Sequence, residues 1–135
     1  MAFNGLEWVL ICISAFCGAG EYSLGMDKPL RITGVEADRT EARAFDRVTL
    51  DIGLEASYSN PFRSEEIRVD VEVSPGGGEP FAAPAFLYQP FERRLEETDK
   101  GPAERLQPMG EPRWQARLSF PKAGHYVLRV SARDK

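Results

Sequence analysis

Residues 48–56 read VTLDIGLEA. Val48, Leu50, Ile52 and Leu54 fall on one side of an extended chain, with Thr49, Asp51 and Glu55 on the other. A period of two marks a strand with one buried face and one wet face; a helix would repeat every three to four residues. The device returns in IRVDVEV (67–73), where Ile67, Val69, Val71 and Val73 alternate with Arg68, Asp70 and Glu72. It returns again in WQARLSF (114–120), with Trp114, Ala116, Leu118 and Phe120 inward against Gln115, Arg117 and Ser119. YVLRVSA (126–132) completes the set with Tyr126, Leu128, Val130 and Ala132. LRITGVEA (30–37) and FAAPAFLYQ (81–89) are weaker strands of the same sort. Half-wet strands of this kind belong to antiparallel sheets.

Turn chemistry separates these runs: SNPF at 59–62, SPGGGEP at 74–80, DKGP at 99–102, PMGEP at 108–112 and PKAG at 121–124. No stretch carries a long, capped helical pattern, and the charged residues 92–106 are read as a loop holding at most a turn or two. Short alternating strands with such turns predict an all-β fold, an immunoglobulin-like antiparallel sandwich of about seven strands over residues 30–135. Tyr126 follows the glycine turn at Gly124 and opens the last strand. In sandwiches a tyrosine there often bonds its hydroxyl back to upstream backbone, as a tyrosine corner.

A chain of 135 residues has room for one domain with a core of its own. Its 21 acids and 17 bases are unevenly placed. Glu7, Glu21 and Asp27 precede the first base, Lys28, so residues 28–135 are nearly neutral. Nothing there supplies the basic face that phosphate backbones or anionic lipids require, so no nucleic-acid partner is expected. WVLICISAF (8–16) has the length of a signal peptide's apolar segment and is too short to cross a bilayer, so no stable membrane insertion is expected. Cys17 and Ala19 suit the small-residue sites ahead of a cleavage before Gly20, although Glu7 replaces the usual basic start. Residues 1–19 are thus read as a signal peptide, 20–29 as a linker, and the protein as secreted, periplasmic or surface-held. A misassigned start is the alternative. Both cysteines, Cys12 and Cys17, lie in this leader, so the mature domain would have neither disulfide nor thiolate zinc site.

Three pieces in order, YSNPFRSEEIRVDVEV, PAFLYQPFERRL and ERLQPMGEPRWQARLSFPKAGHYVLRV, resemble an uncharacterised domain (domain of unknown function 5060). That domain stands at the N-terminus of many proteins regarded as secreted glycoside hydrolases. The resemblance rests on Asn60-Pro61-Phe62, on Phe86 and Tyr88, on Trp114, Arg117 and Leu118, and on Pro121, Gly124 and Tyr126, and it covers residues 44–134. It implies an accessory sandwich that packs on or positions a catalytic domain. In that family a (β/α)-barrel hydrolase usually follows; the residues here carry the sandwich alone, and no substrate is implied.

The residues themselves name no catalytic group. Glycosidases set two carboxylates across a cleft; Glu65–Glu66 and Glu96–Glu97 are adjacent doublets of the kind that usually solvate a loop. His125, the only histidine, sits on a turn with no nucleophile motif beside it, and one histidine makes no zinc site. No catalytic residue, metal or cofactor is therefore expected. The remaining candidate contact is AFLYQPFERRL (85–95). Phe86 and Tyr88 are expected to face the core, Pro90 to end the strand, and Phe91, Arg93 and Arg94 to reach the rim on a loop. Tyr88, Phe91, Arg93 and Arg94 are thus the candidate residues for a polysaccharide or for a glycoside hydrolase catalytic domain, aromatic rings suiting sugar faces and aromatic plus arginine suiting protein interfaces.

Overall fold

The computed structural model describes residues 8–17 and 29–134, and among them the fold is all-β. The strands are β1 (Trp8–Cys17), β2 (Arg31–Ala37), β3 (Glu41–Arg43), β4 (Arg47–Glu55), β5 (Ile67–Pro75) and β6 (Phe81–Pro84). They continue as β7 (Phe86–Tyr88), β8 (Phe91–Thr98), β9 (Gly101–Pro108), β10 (Arg113–Ser119) and β11 (Gly124–Asp134). One sheet has the order β3-β1-β11-β5-β6, the second β2-β4-β10-β7, and β8 pairs with β9 alone.

The alternating runs do what their period requires. Val48, Leu50 and Ile52 of β4 and Trp114, Ala116 and Leu118 of β10 are buried on one side; Val69, Val71, Leu128 and Val130 answer them from β5 and β11. These faces enclose one core, completed by Phe120 beyond β10. The chain is a β-sandwich whose polar faces look outward. Burying a Val or Leu side chain contributes about 1.5–3 kcal/mol, so the core rows are the main source of its stability. Tyr126 closes one end: its hydroxyl donates to the Lys122 carbonyl at 2.7 Å, and its ring lies 4.5 Å from that of Phe120. This is the tyrosine corner that the sequence suggested.

Three differences from the sequence reading affect the surface. First, the apolar run read as a leader is β1, paired in parallel with β11 from Val9↔Gly124 to Cys17↔Ala132. Ile11 and Ile13 pack against the core. In this structure β1 adds a strand to the first sheet ahead of residue 30, and its pairing with β11 is parallel. The expected cleavage point and linker, residues 18–28, lie outside the described residues. Second, the stretch 81–89 is two strands. β6 pairs with β5 in the first sheet, and after Ala85, whose N–H donates to the Val69 carbonyl at 2.8 Å, β7 pairs with β10 in the second. Third, residues 91–108 form a hairpin where a loop was expected.

A bulge marks β2, where the register with β4 shifts between Ile32 and Gly34. Gly53 of β4 lies beneath it. A Cβ there would come within 2.3 Å of Thr33 Oγ1, so only glycine admits the bulge without displacing that side chain.

Candidate functional site

The inward assignment of Phe86 and Tyr88 is corrected by the structure. Ala85 and Leu87 pack against the core, which turns Phe86 and Tyr88 to the outer face of the second sheet. Pairing with β10 sets Phe86 opposite Gln115 and Tyr88 opposite Arg113. Both parities of this stretch are apolar, so local phase leaves the choice open; pairing with β10 sets the larger rings beside Arg113 and Arg117.

These rings sit among arginines that sequence reasoning did not connect with them. The Arg117 guanidinium lies 5.2 Å from the centroids of both Phe86 and Tyr88, and that of Arg113 lies 5.6 Å from Tyr88. Behind them Gln115 donates from Nε2 to Asp51 Oδ1 at 2.8 Å and accepts from Arg117 Nε at 3.1 Å. Arg113 Nε also reaches Asp51 Oδ1 at 3.2 Å. Gln115 is on the wet face by alternation, yet it is only 4% exposed because its neighbours cover it. Its burial requires those hydrogen bonds, since an unpaired amide there would cost about 1–3 kcal/mol. The outward phase of Arg117 and Gln115 is visible in WQARLSF; that β7 lies beside them is not. Arginines stand over both rings, while Phe86 is still 38% exposed.

Phe91, Arg93 and Arg94 lie elsewhere, on the β8–β9 hairpin. β7 stops at Tyr88, ahead of Pro90, and the chain re-enters a strand at Phe91. The hairpin turns at Asp99-Lys100, with Gly101 at φ +101°, a region open to glycine and costly for other residues. Thr98 Oγ1 donates to the Gly101 carbonyl at 2.7 Å and accepts from Lys100 N–H at 3.3 Å. At the base Met109 N–H donates to the Pro90 carbonyl at 2.8 Å. There the Gln89 amide also donates to the carbonyls of Pro90, Met109 and Gly110 at 3.1–3.2 Å.

Register sorts the hairpin into two faces. Phe91, Arg93 and Leu95 share one with Glu104, Leu106 and Pro108; Glu92, Arg94 and Glu96 share the other with Ala103, Arg105 and Gln107. On the second face Arg94 pairs with Glu92 and Arg105 with Glu96, both at about 2.6–2.7 Å. On the first, Arg93 pairs with Glu104. Glu97 also lies on this face, and the rest is apolar and open: Phe91 is 54% exposed, Leu95 68% and Leu106 66%. No hairpin residue belongs to the core or packs against it. Tyr88 is therefore separated from the other three candidates, which the hairpin brings together, Arg94 on the opposite face from Phe91 and Arg93.

The acidic doublets, the Asn-Pro step and His125 sit as follows. The Glu66 carboxylate accepts from Ser59 N–H, Ser59 Oγ and Asn60 N–H at 2.7–3.0 Å, and Asn60 Oδ1 accepts from Phe62 N–H at 2.9 Å. The Asn-Pro-aromatic step thus builds a turn. Glu96 and Glu97 are successive strand residues and point to opposite faces. His125 is exposed, and among the described residues no cluster of three His, Cys, Asp or Glu side chains could hold a metal ion. A cleft of about 320 Å³ opens between β5 and β7, walled by Ile67, Val69, Leu87 and Trp114 with Phe62 at its mouth. The Trp114 indole nitrogen has no hydrogen-bond partner among the described residues, but that atom is itself buried, so a molecule in the cleft could not reach it without moving the ring. Comparison with known proteins gives no relative: no family model, curated protein or solved structure matches this chain.

Proposed function

We propose that this chain is a non-catalytic, exported accessory domain that docks a protein partner through the apolar face of the β8–β9 hairpin. The partner class is the catalytic domain of a glycoside hydrolase, which the resemblance described above suggests. One observation carries the reading. Leu95 and Leu106, with Phe91, form an exposed apolar strip on a ribbon whose arginines are paired with its own glutamates. An isolated two-stranded hairpin is at best marginally stable in water, and covering its apolar face is the usual remedy. With the arginines paired within the hairpin, hydrophobic contact is the main attraction its first face offers, as in the cores of protein interfaces.

The test is calorimetric titration of the domain against a glycoside hydrolase catalytic domain encoded beside it. Binding that is lost in Leu106→Asp, with the melting temperature preserved, supports the reading. Binding to a glycan panel that is lost in Tyr88→Ala and kept in Leu106→Asp would replace it with the carbohydrate-binding alternative. Export rests on the leader-like run alone. An intact mass beginning near Gly20 in protein recovered from its host supports it, and a retained segment 1–19 removes that support.

A further inference from the structure

The hairpin has edges as well as faces, and they are unlike. Pro102 stands opposite Glu97 and Pro108 opposite Phe91. Proline has no N–H to give its partner strand, so it occupies the ladder positions whose backbone points away from that partner. Hence the odd residues of β8, Phe91 to Glu97, direct their N–H and C=O groups outward, and the even residues of β9 do the same. On β9 two of those outward positions are prolines, which guard the edge. On β8 none is. The other sheet edges are short or irregular: β3 and β7 have three residues, β6 has four and includes Pro84, and β2 carries the bulge. The outer edge of β8 is long and unblocked; β1, which β3 covers only from Trp8 to Leu10, is the other long one among the described strands.

Residues 93–97 on that edge read Arg-Arg-Leu-Glu-Glu. Reversed, each basic residue meets an acidic one. We infer that β8 pairs antiparallel with β8 of a second copy, about a two-fold axis through Leu95, forming a four-stranded sheet β9-β8-β8-β9. In this register Leu95 faces Leu95 of the second copy. Arg94 faces its Glu96 and Arg93 its Glu97, and the two-fold repeats both pairs. The outward parity is satisfied, odd residue against odd, with about six backbone hydrogen bonds across the new ladder. Moving the axis to Arg94 sets Arg94 against Arg94 and Glu92 against Glu96, and moving it to Glu96 sets Glu96 against Glu96. Like charges directly opposed are destabilising, so charge selects the Leu95 register. The second copy is the occupant because the edge sequence complements itself.

Four strands with one apolar face also cure the weakness of two. The contact is small, below the roughly 800 Å² per partner of a standard stable interface, so the dimer is a weak one, with Kd on the order of 10–100 µM. This inference rests on the hairpin being an interaction element. It uses the β8 edge and leaves the Leu106 face free for the partner proposed above.

The experiment is sedimentation of the full chain from about 1 µM to 1 mM, a range spanning the Kd expected for so small an interface. The expected result is a monomer that passes to a dimer across this range. Arg93→Glu with Arg94→Glu, and separately Glu96→Arg with Glu97→Arg, should each remain monomeric and keep the far-ultraviolet spectrum of the parent. Mixed in equal amounts, the two variants should form a heterodimer, because every opposed pair is again of unlike sign. A parent that stays monomeric to the top of the range overturns the inference. So does a dimer that survives either charge reversal, or a failure of the two folded variants to combine. Leu106→Asp separates this from the docking reading: it should abolish partner binding and leave self-association in place.

Discussion

Trp114 and Phe86 are both large aromatics on neighbouring strands, and their costs on truncation should differ severalfold. Trp114 is buried on the inner face of β10, and the Tyr58 ring meets it edge-on at 6.2 Å. Trp114→Ala leaves a cavity between the sheets and should cost about 3–5 kcal/mol in a denaturant melt. Phe86 is 38% exposed on the outer face, under Arg117. Phe86→Ala should cost only about 1–2 kcal/mol, the partial burial of one ring and one cation–π contact. Unfolding of Phe86→Ala at room temperature would return that ring to the core. The two residues also mark what the sequence could disclose. Trp114 is in phase with Leu118 and Phe120, and a strict alternation has one physical solution. Around Phe86 both parities are apolar, Ala85 and Leu87 against Phe86 and Tyr88. The tie is broken by arginines on β10, whose adjacency depends on a pairing no local pattern encodes.

The β8–β9 hairpin shows the same limit in an element. Its turn was readable, because Asp-Lys-Gly supplies the left-handed glycine such a turn needs. Its strands were not, because RRLEE and PAERLQ place charge on both faces and bury nothing that could fix a period. An element held only by its own ladder and base should be separable from the sandwich. Replacing residues 91–108 by a two-residue turn between Pro90 and Met109, already joined by a backbone hydrogen bond, should alter stability by less than about 1 kcal/mol. Thermal melts of the two chains test this, and a collapse of the shortened chain would mean that the hairpin braces the core. Arg93→Ala with Arg94→Ala should likewise leave the melt within about 0.5 kcal/mol, since both are exposed, each pairing with a glutamate of the hairpin.

The sandwich as a whole depends on its first strand in a way that bears on export. β1 stands between β3 and β11, with a parallel ladder to β11 running from Val9 to Cys17. Ile11 and Ile13 add half-buried surface to the core, worth about 1 kcal/mol each. β1 also covers the inner edge of β11, eleven residues that would otherwise offer a long unpaired row of backbone groups. The period-two pattern of β4, β5, β10 and β11 made the centre of the sandwich legible. β1 was not, because an apolar run of its length serves equally as a buried strand or as a leader. A chain beginning at Gly20 loses both contributions at once. It should be less stable by about 2–4 kcal/mol, a large share of the 5–15 kcal/mol typical of a whole domain. Its bared β11 should make it associate at high concentration through an edge unrelated to β8. Denaturant melts and sedimentation of residues 20–135 beside the full chain measure both effects, with the Arg93→Glu and Arg94→Glu changes present to silence the β8 edge. Equal melting midpoints and a monomeric short chain would show that β1 adds nothing, and a form cleaved ahead of Gly20 would then lose no stability with its leader.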